Sequence, residues 1–345
     1  MEELAIRRNL SDGVDVDIAR TIHNRGGISL QRGDFKEAEA QFREALTIRR
    51  ELLGNDHPEV AITMDVLSQS IANQRRYEEA AAICKDALAI RRKILGNEHP
   101  DVGMNINNVG WILIMQRKYD EAEPLMRESL AIQRKALGNK HPWTAFPLNN
   151  LAKIMLEKKK YKEAEAAYRE CLSIFREALG KEHPNIATVM HNLGSLLYKM
   201  GKYVEAEPII TESLVMRRKF LIEDHPEIAK TLFILASVYM KTKGPTEAYP
   251  LFHESFDIRK KTMPEGHLQT IQSQRELGNC LAKLDRFEEA EKLLLECWEN
   301  LDSQSEPNIG EIKKTLGYIV DLYKIWDKPQ KAAEYSTKLE GLSEQ

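Results

Sequence analysis

An alanine recurs every 42 residues along the chain, at Ala38, Ala80, Ala122, Ala164, Ala206, Ala248, Ala290 and Ala332. A fixed internal period of this length marks a solenoid of stacked supersecondary units, each touching its neighbours, rather than a globule around one core. Two further columns keep the same step. One runs through Gly26, Ser68, Gly110, Ala152, Gly194, Ala236 and Gly278, the other through Ala45, Ala87, Ser129, Cys171, Ser213, Ser255 and Cys297. Side chains this small are what two closely approaching helix backbones require, so all three columns are expected at helix packing contacts.

One copy, residues 99–140, shows how a unit is built. Val102, Ile106, Val109 and Leu113 follow the spacing of one helical face and define an amphipathic helix, called A. A polar turn at Arg117 and Lys118 ends it. A second helix, B, starts near Tyr119 with Asp120, Glu121 and Glu123 in its first turn, where acidic groups oppose the positive end of the helix dipole. Helix B runs to Leu137, and Gly138 is placed for a left-handed cap, as are Gly54, Gly96 and Gly180. His57, His99, His141, His183, His225 and His267 stand 42 apart, and in the first five a proline follows, which suits the first turn of the next helix A. The expected fold is therefore all-α, a solenoid of helical hairpins.

A small residue, an alanine twelve positions on, another small residue seven further and an aromatic three before the alanine, as in Gly110, Ala122, Ser129 and Tyr119, resemble the tetratricopeptide repeat. That motif spans about 34 residues, and the extra segment here, IRRELLGNDHP and its copies, is similar to the lengthened repeat of the kinesin light chain subtype. The resemblance covers residues 1 to about 340 and implies a right-handed superhelix of antiparallel helix pairs. The expected division is a half repeat over 1–14, because MEELAIRRNL matches the end of a helix B, then seven 42-residue repeats over 15–308 and a degenerate terminal repeat or cap over 309–345. A chain that opens midway through a unit suggests either a fragment of something longer or a truncated ancestor.

Composition narrows the function. With 50 basic and 53 acidic side chains the net charge is −3, which draws the molecule neither to nucleic acid nor to an anionic membrane. No apolar run approaches the roughly 20 residues of a spanning helix, and the acidic opening lacks the core of a signal peptide, so a cytoplasmic monomer is expected. Cys84, Cys171, Cys280 and Cys297 have neither disulfide-framework nor zinc spacing. Six histidines on units stacked roughly 10 Å apart cannot converge on one ion, so no metal and no other cofactor is expected. Arginines recur near the end of helix B as Arg7, Arg49, Arg91, Arg217 and Arg259, with Gln133 and Phe175 breaking the column, and a solvated or inter-repeat role is expected of them. The chain holds no HExxH, phosphate loop or GxSxG elbow, and no enzyme is expected.

What remains is a column of asparagines. Asn24, Asn108, Asn150 and Asn192 share one helix A position, interrupted by Val66, Ile234 and Glu276, and Asn107 and Asn149 precede two of them. The position lies two residues before the small packing residue, about 200° around the helix, so it should face the concave groove. An amide offers donor and acceptor together and suits the backbone of an extended peptide; the alternative is a hydrogen bond between helices within the stack. In proteins of the resembling family this position contacts peptide main chain, which transfers to Asn108, Asn150 and Asn192. Met104, Trp111, Phe146 and Lys153 flank them, and the wall is most apolar around Asn108. The expected function is a non-catalytic scaffold or adaptor that binds an extended peptide of a protein partner in the groove of repeats 3 to 5. The alternative is a regulatory or sensor module of a larger signalling protein.

Overall fold

The His-Pro steps are helix caps. In a computed structural model, which describes residues 15–304 and 307–342, each of His57, His99, His141, His183, His225 and His267 has extended backbone, and its Nδ1 accepts from the backbone amide two residues on at 3.1–3.2 Å. Such a cap satisfies one of the four amides left over at a helix start and requires an unprotonated nitrogen. Each following A helix therefore begins where the sequence places it.

Sixteen helices are described, and they fall into two compact units. The first, residues Met1–Gly180, holds α1 (Val16–Arg32), α2 (Phe35–Leu53), α3 (Pro58–Asn73), α4 (Tyr77–Leu95), α5 (Pro100–Met115), α6 (Tyr119–Leu137), α7 (Pro142–Glu157) and α8 (Tyr161–Leu179). The second, residues Lys181–Gln345, holds α9 (Pro184–Lys199), α10 (Tyr203–Phe220), α11 (Pro226–Thr242), α12 (Pro245–Thr262), α13 (Leu268–Ala282), α14 (Phe287–Asp302), α15 (Ile309–Ile325) and α16 (Pro329–Gly341). Odd-numbered helices are the A helices and even-numbered ones the B helices. Within each unit every helix packs on the next, as an all-α solenoid of hairpins requires. The half repeat expected over 1–14 lies outside the described residues. Pro147, which could bend its helix, sits inside an α7 that runs unbroken from Pro142 to Glu157.

The small columns do the packing. The alanines from Ala38 to Ala290 are fully buried and Ala332 nearly so. The glycine column notches helix A against a large side chain sixteen residues on. A Cβ on Gly26 would stand 2.6 Å from Phe42, on Gly110 2.6 Å from Met126 and on Gly278 2.8 Å from Leu294, and one on Gly194 would overlap Ile210. The third column adds a bond: Ser129, Ser213 and Ser255 donate to the carbonyls of Gly103, Ala187 and Ala229 at 2.7, 2.7 and 2.8 Å. Cys171 and Cys297 give their thiols to Ala145 and Ile271 at 3.2 and 3.5 Å, so sulfur replaces oxygen in the same bond. All four cysteines are buried and free.

Gly27 is the contrast, with nothing within 4 Å of an added Cβ. Gly27→Ala should raise stability by about 0.5–1 kcal/mol through helix propensity alone. Gly194→Ala should instead lower it by about 1–3 kcal/mol, because the branched Ile210 blocks the methyl. Urea midpoints of the two variants moving in the same direction would refute this account of the column.

The arginine column joins one hairpin to the next. Arg49 donates to Thr63 Oγ1 at 2.5 Å and to the Glu59 carbonyl at 3.2 Å, and pairs with the Glu59 carboxylate at 2.6 Å. Arg217 does the same with Thr231, at 2.7 Å, and with Glu227. Arg259 reaches Ser273 at 2.6 Å and the Gln269 carbonyl at 2.8 Å. These guanidiniums are buried, so the solvated half of the expectation for them is corrected and the inter-repeat half is the structure. A buried cation is costly unless its donors are met, and fixed acceptors 10 and 14 residues on take the Nη1 hydrogens, while the Nε of Arg49 and of Arg259 stays buried without a hydrogen-bond partner among the described residues. Outside, Lys93–Asp56, Lys135–Glu98, Lys219–Glu182 and Lys261–Asp224 form exposed ion pairs 37 residues apart.

At the far end α15 and α16 close on aromatic rings. Trp326 stacks on Phe287, and Lys328, Lys331 and Lys338 lie over Trp326, Tyr323 and Tyr335 at 3.0, 5.1 and 4.5 Å from the ring centres. The ammonium groups themselves lie over the ring faces as cation–π contacts on the terminal hairpin. Among the described residues no helix is long and apolar enough to cross a membrane.

Candidate peptide-binding groove

On α5 the residues Met104, Asn108, Trp111 and Met115 follow helical spacing along one face, and all four are half-buried. Trp111 packs against two core clusters, one built mainly from α3 and α4 and one shared by α5, α6 and α7, so much of its ring belongs to the stack. On α7, Phe146 meets the buried Phe175 edge-on at 5.3 Å. Asn149 and Lys153 are half-buried beside it.

Asn150 and Asn107 resolve differently from Asn108. Asn150 Nδ2 donates to Asn107 Oδ1 at 2.9 Å, both residues are buried, and the bond ties α7 to α5. This is the within-stack alternative for the asparagine column, realised at one pair. Asn108 instead helps to surround Asp65 on α3, together with Arg91 and Cys84 from α4 and Asn105 from α5. Burial pushes the Asp65 carboxyl up to about 6, and the Arg91 guanidinium opposes that shift without overcoming it. Burial, with Asp65 alongside, also pushes the Cys84 thiol far up, which leaves it un-ionised and unreactive.

In the second unit Asn192 lies half-buried on α9. The same column continues through Ile234, Glu276 and Tyr318, and there it lines a cleft of about 250 Å³ between the A helices. Tyr198 of α9, Phe233 and Met240 of α11, and Lys283 of α13 complete much of its wall. Glu276 accepts from Lys314 Nζ at 2.8 Å and from the Tyr318 hydroxyl at 3.0 Å, and burial together with that carboxylate pushes the Tyr318 hydroxyl up. Sequence reasoning treated Ile234 and Glu276 as interruptions of an asparagine column. The signal that finds the cleft is the position, not the residue type. Among the described residues no group of three or more His, Cys, Asp or Glu side chains is arranged to hold a metal.

Family models of the tetratricopeptide repeat match residues 18–59 and, in overlapping segments, 67–135, 112–177, 148–219, 185–241 and 227–302. The chain belongs to the tetratricopeptide repeat family. A comparison with curated proteins finds no match. Among solved structures it is similar to a putative kinesin light chain of Podosopora anserina with nearly identical TPR-like repeats, at 24% identity over 60% of this chain and 97% of that one, with a TM-score of 0.48. BtubC (BKLC) from P. vanneervenii matches at 19% identity over 69% and 94%, TM-score 0.52. The apo form of the quorum sensor NprR from B. thuringiensis matches at 13% identity over 95% and 99%, TM-score 0.59. The last two show the helical solenoid fold.

Proposed function

We propose that the chain is a non-catalytic scaffold or adaptor that holds an extended segment of a partner protein along the exposed faces of its A helices, as a monomer and without a cofactor. The observation that carries this reading is the groove-facing column: at Ile234, Glu276 and Tyr318 it lines an open cleft in which the apolar Phe233, Met240 and Phe252 meet Lys283, Lys314 and the Glu276–Tyr318 hydrogen bond. That combination is the usual make-up of a binding site. In the first unit the same face offers Met104, Asn108 and Trp111, with Phe146, Asn149 and Lys153 beside them and the Asn107–Asn150 bond holding the two A helices in register.

The column separates binding from stability. Asn192→Ala should weaken a partner peptide, identified by pull-down, by up to about one decade, at about 0.5–1.5 kcal/mol for a lost bond and 1.4 kcal/mol per decade, whereas Asn108→Ala also removes a contact to the buried Asp65 and should lower the melting temperature too. Asn150→Ala should lower the melting temperature by breaking the bond to Asn107. Titration calorimetry and melts on the same samples decide the matter: unchanged affinity in Asn192→Ala removes the peptide-binding role of that asparagine.

A further inference from the structure

Two of the arginine joints share a feature that the third lacks. At the joint from α10 to α11, His191 of α9 stands with Nδ1 3.3 Å from Thr231 Oγ1, the hydroxyl that Arg217 grips. At the joint from α2 to α3, His23 of α1 stands with Nδ1 3.4 Å from the Arg49 guanidinium, which grips Thr63. The four members His23, Arg49, Glu59 and Thr63 recur as His191, Arg217, Glu227 and Thr231, each displaced by four 42-residue periods. At the joint from α12 to α13 the corresponding position is Phe233, whose ring lies 4.8 Å from the Arg259 guanidinium.

We propose that His191 and His23 are acid-released latches: protonation of either imidazole sets a second positive charge against a buried arginine and loosens the joint that the arginine closes. The charges around His191 come from three other helices. Arg217 of α10, Lys230 of α11 and Arg259 of α12 resist a cation there, and Glu227 of α11 alone favours it. Burial outweighs all of these and holds the imidazole down to about 3. Around His23, burial and Arg49 of α2 act downward against Glu59 of α3. His225 caps α11 through Nδ1, and burial holds it below its usual range, so a second proton acts on the same joint in the same direction.

The sign follows from linkage. A histidine whose folded value is depressed binds its proton more readily when the joint is open, so closure is complete above the free value of 6.5 and is lost as the pH falls towards the folded value. From a free value of 6.5 and a closed value of about 3, lowering the pH from 7 to 5 should raise the open population at the Arg217 joint by about 25-fold through His191 alone. Tyr198 of α9 and Phe233 of α11 both line the cleft, so opening this joint would also reshape that wall, whatever the cleft binds.

Amide hydrogen exchange on the full chain, read by peptide mass and corrected for the intrinsic dependence of exchange on pH, tests the latch. Opening of α10 and α11 should increase steeply from pH 7 to 5, and opening around α12 and α13, where Phe233 replaces the imidazole, should increase less. His191→Gln keeps a hydrogen-bonding side chain that cannot take the proton, and it should remove most of that increase while leaving the response around His23 in place. Equal pH responses at the Arg217 and Arg259 joints in the unmodified chain would overturn the proposal, as would an undiminished response in His191→Gln.

Discussion

Asp65→Ala should destabilise the first unit by about 3–5 kcal/mol, the loss expected when one member of a buried ion pair is removed and the other is left in the core. Arg91 is buried, and in place of the forward reach of Arg49 and Arg217 it turns back to Asp65 within its own hairpin. Without the carboxylate its guanidinium has no anion, and the Asn105 amide is left with only the Cys84 sulfur as acceptor, at 3.4 Å. Removing both charges should cost far less, since a buried pair replaced by apolar groups of similar size is often nearly neutral. Asp65→Ala combined with Arg91→Met should therefore recover most of the loss. Urea denaturation followed by circular dichroism checks this, and a double variant no more stable than Asp65→Ala alone would refute it. The carboxyl also carries a pH signature. Because its folded value is raised to about 6 from 3.8, its contribution is fully present below 3.8 and is lost as the pH rises through 6, opposite in sign to that of His191.

Ala164→Leu should cost about 1–3 kcal/mol, because three extra heavy atoms must enter a contact between helices that leaves the native methyl no exposure. The same substitution at Ala166, an exposed position on α8, should be close to neutral. Comparing the two in one urea series separates overpacking from any general effect of added leucine, and equal midpoints would count against the packing role of the column.

Much of this architecture is legible in the sequence for a simple reason. Period and residue size survive projection onto one dimension, and Ala164 or Gly194 can be placed at a helix contact from spacing alone. Even Pro245 and Pro329, which break the aromatic column, are harmless where they stand, at the first turn of α12 and α16, where a proline costs no hydrogen bond. Direction is what spacing does not carry. Spacing leaves Arg217 either solvated or between repeats, although arginine is seldom buried. The cue that it lies between repeats was present in Thr63, Thr231 and Ser273, each 14 residues beyond an arginine. The histidines likewise read as loop punctuation, since imidazole is not among the usual caps. Spacing alone could not show that Asn150 of α7 lies within hydrogen-bonding distance of Asn107 of α5. Glu276 was hidden for the opposite reason: attention to one residue type obscured a position that keeps its aspect whatever occupies it.

The outer ion pairs at a spacing of 37, together with caps, notches and carbonyl bonds that all keep step with the period, have a consequence for how such a chain can change in length. Inserting one residue into a helix turns everything beyond it by about 100° and carries each notch away from its partner. Gaining or losing a whole 42-residue copy restores the caps, notches and small-residue contacts at the new seam, and loses only contacts peculiar to single copies, such as the Asn107–Asn150 bond. Unequal exchange between copies of the gene would therefore yield longer and shorter proteins that still fold, and reach becomes the property most easily altered by inheritance.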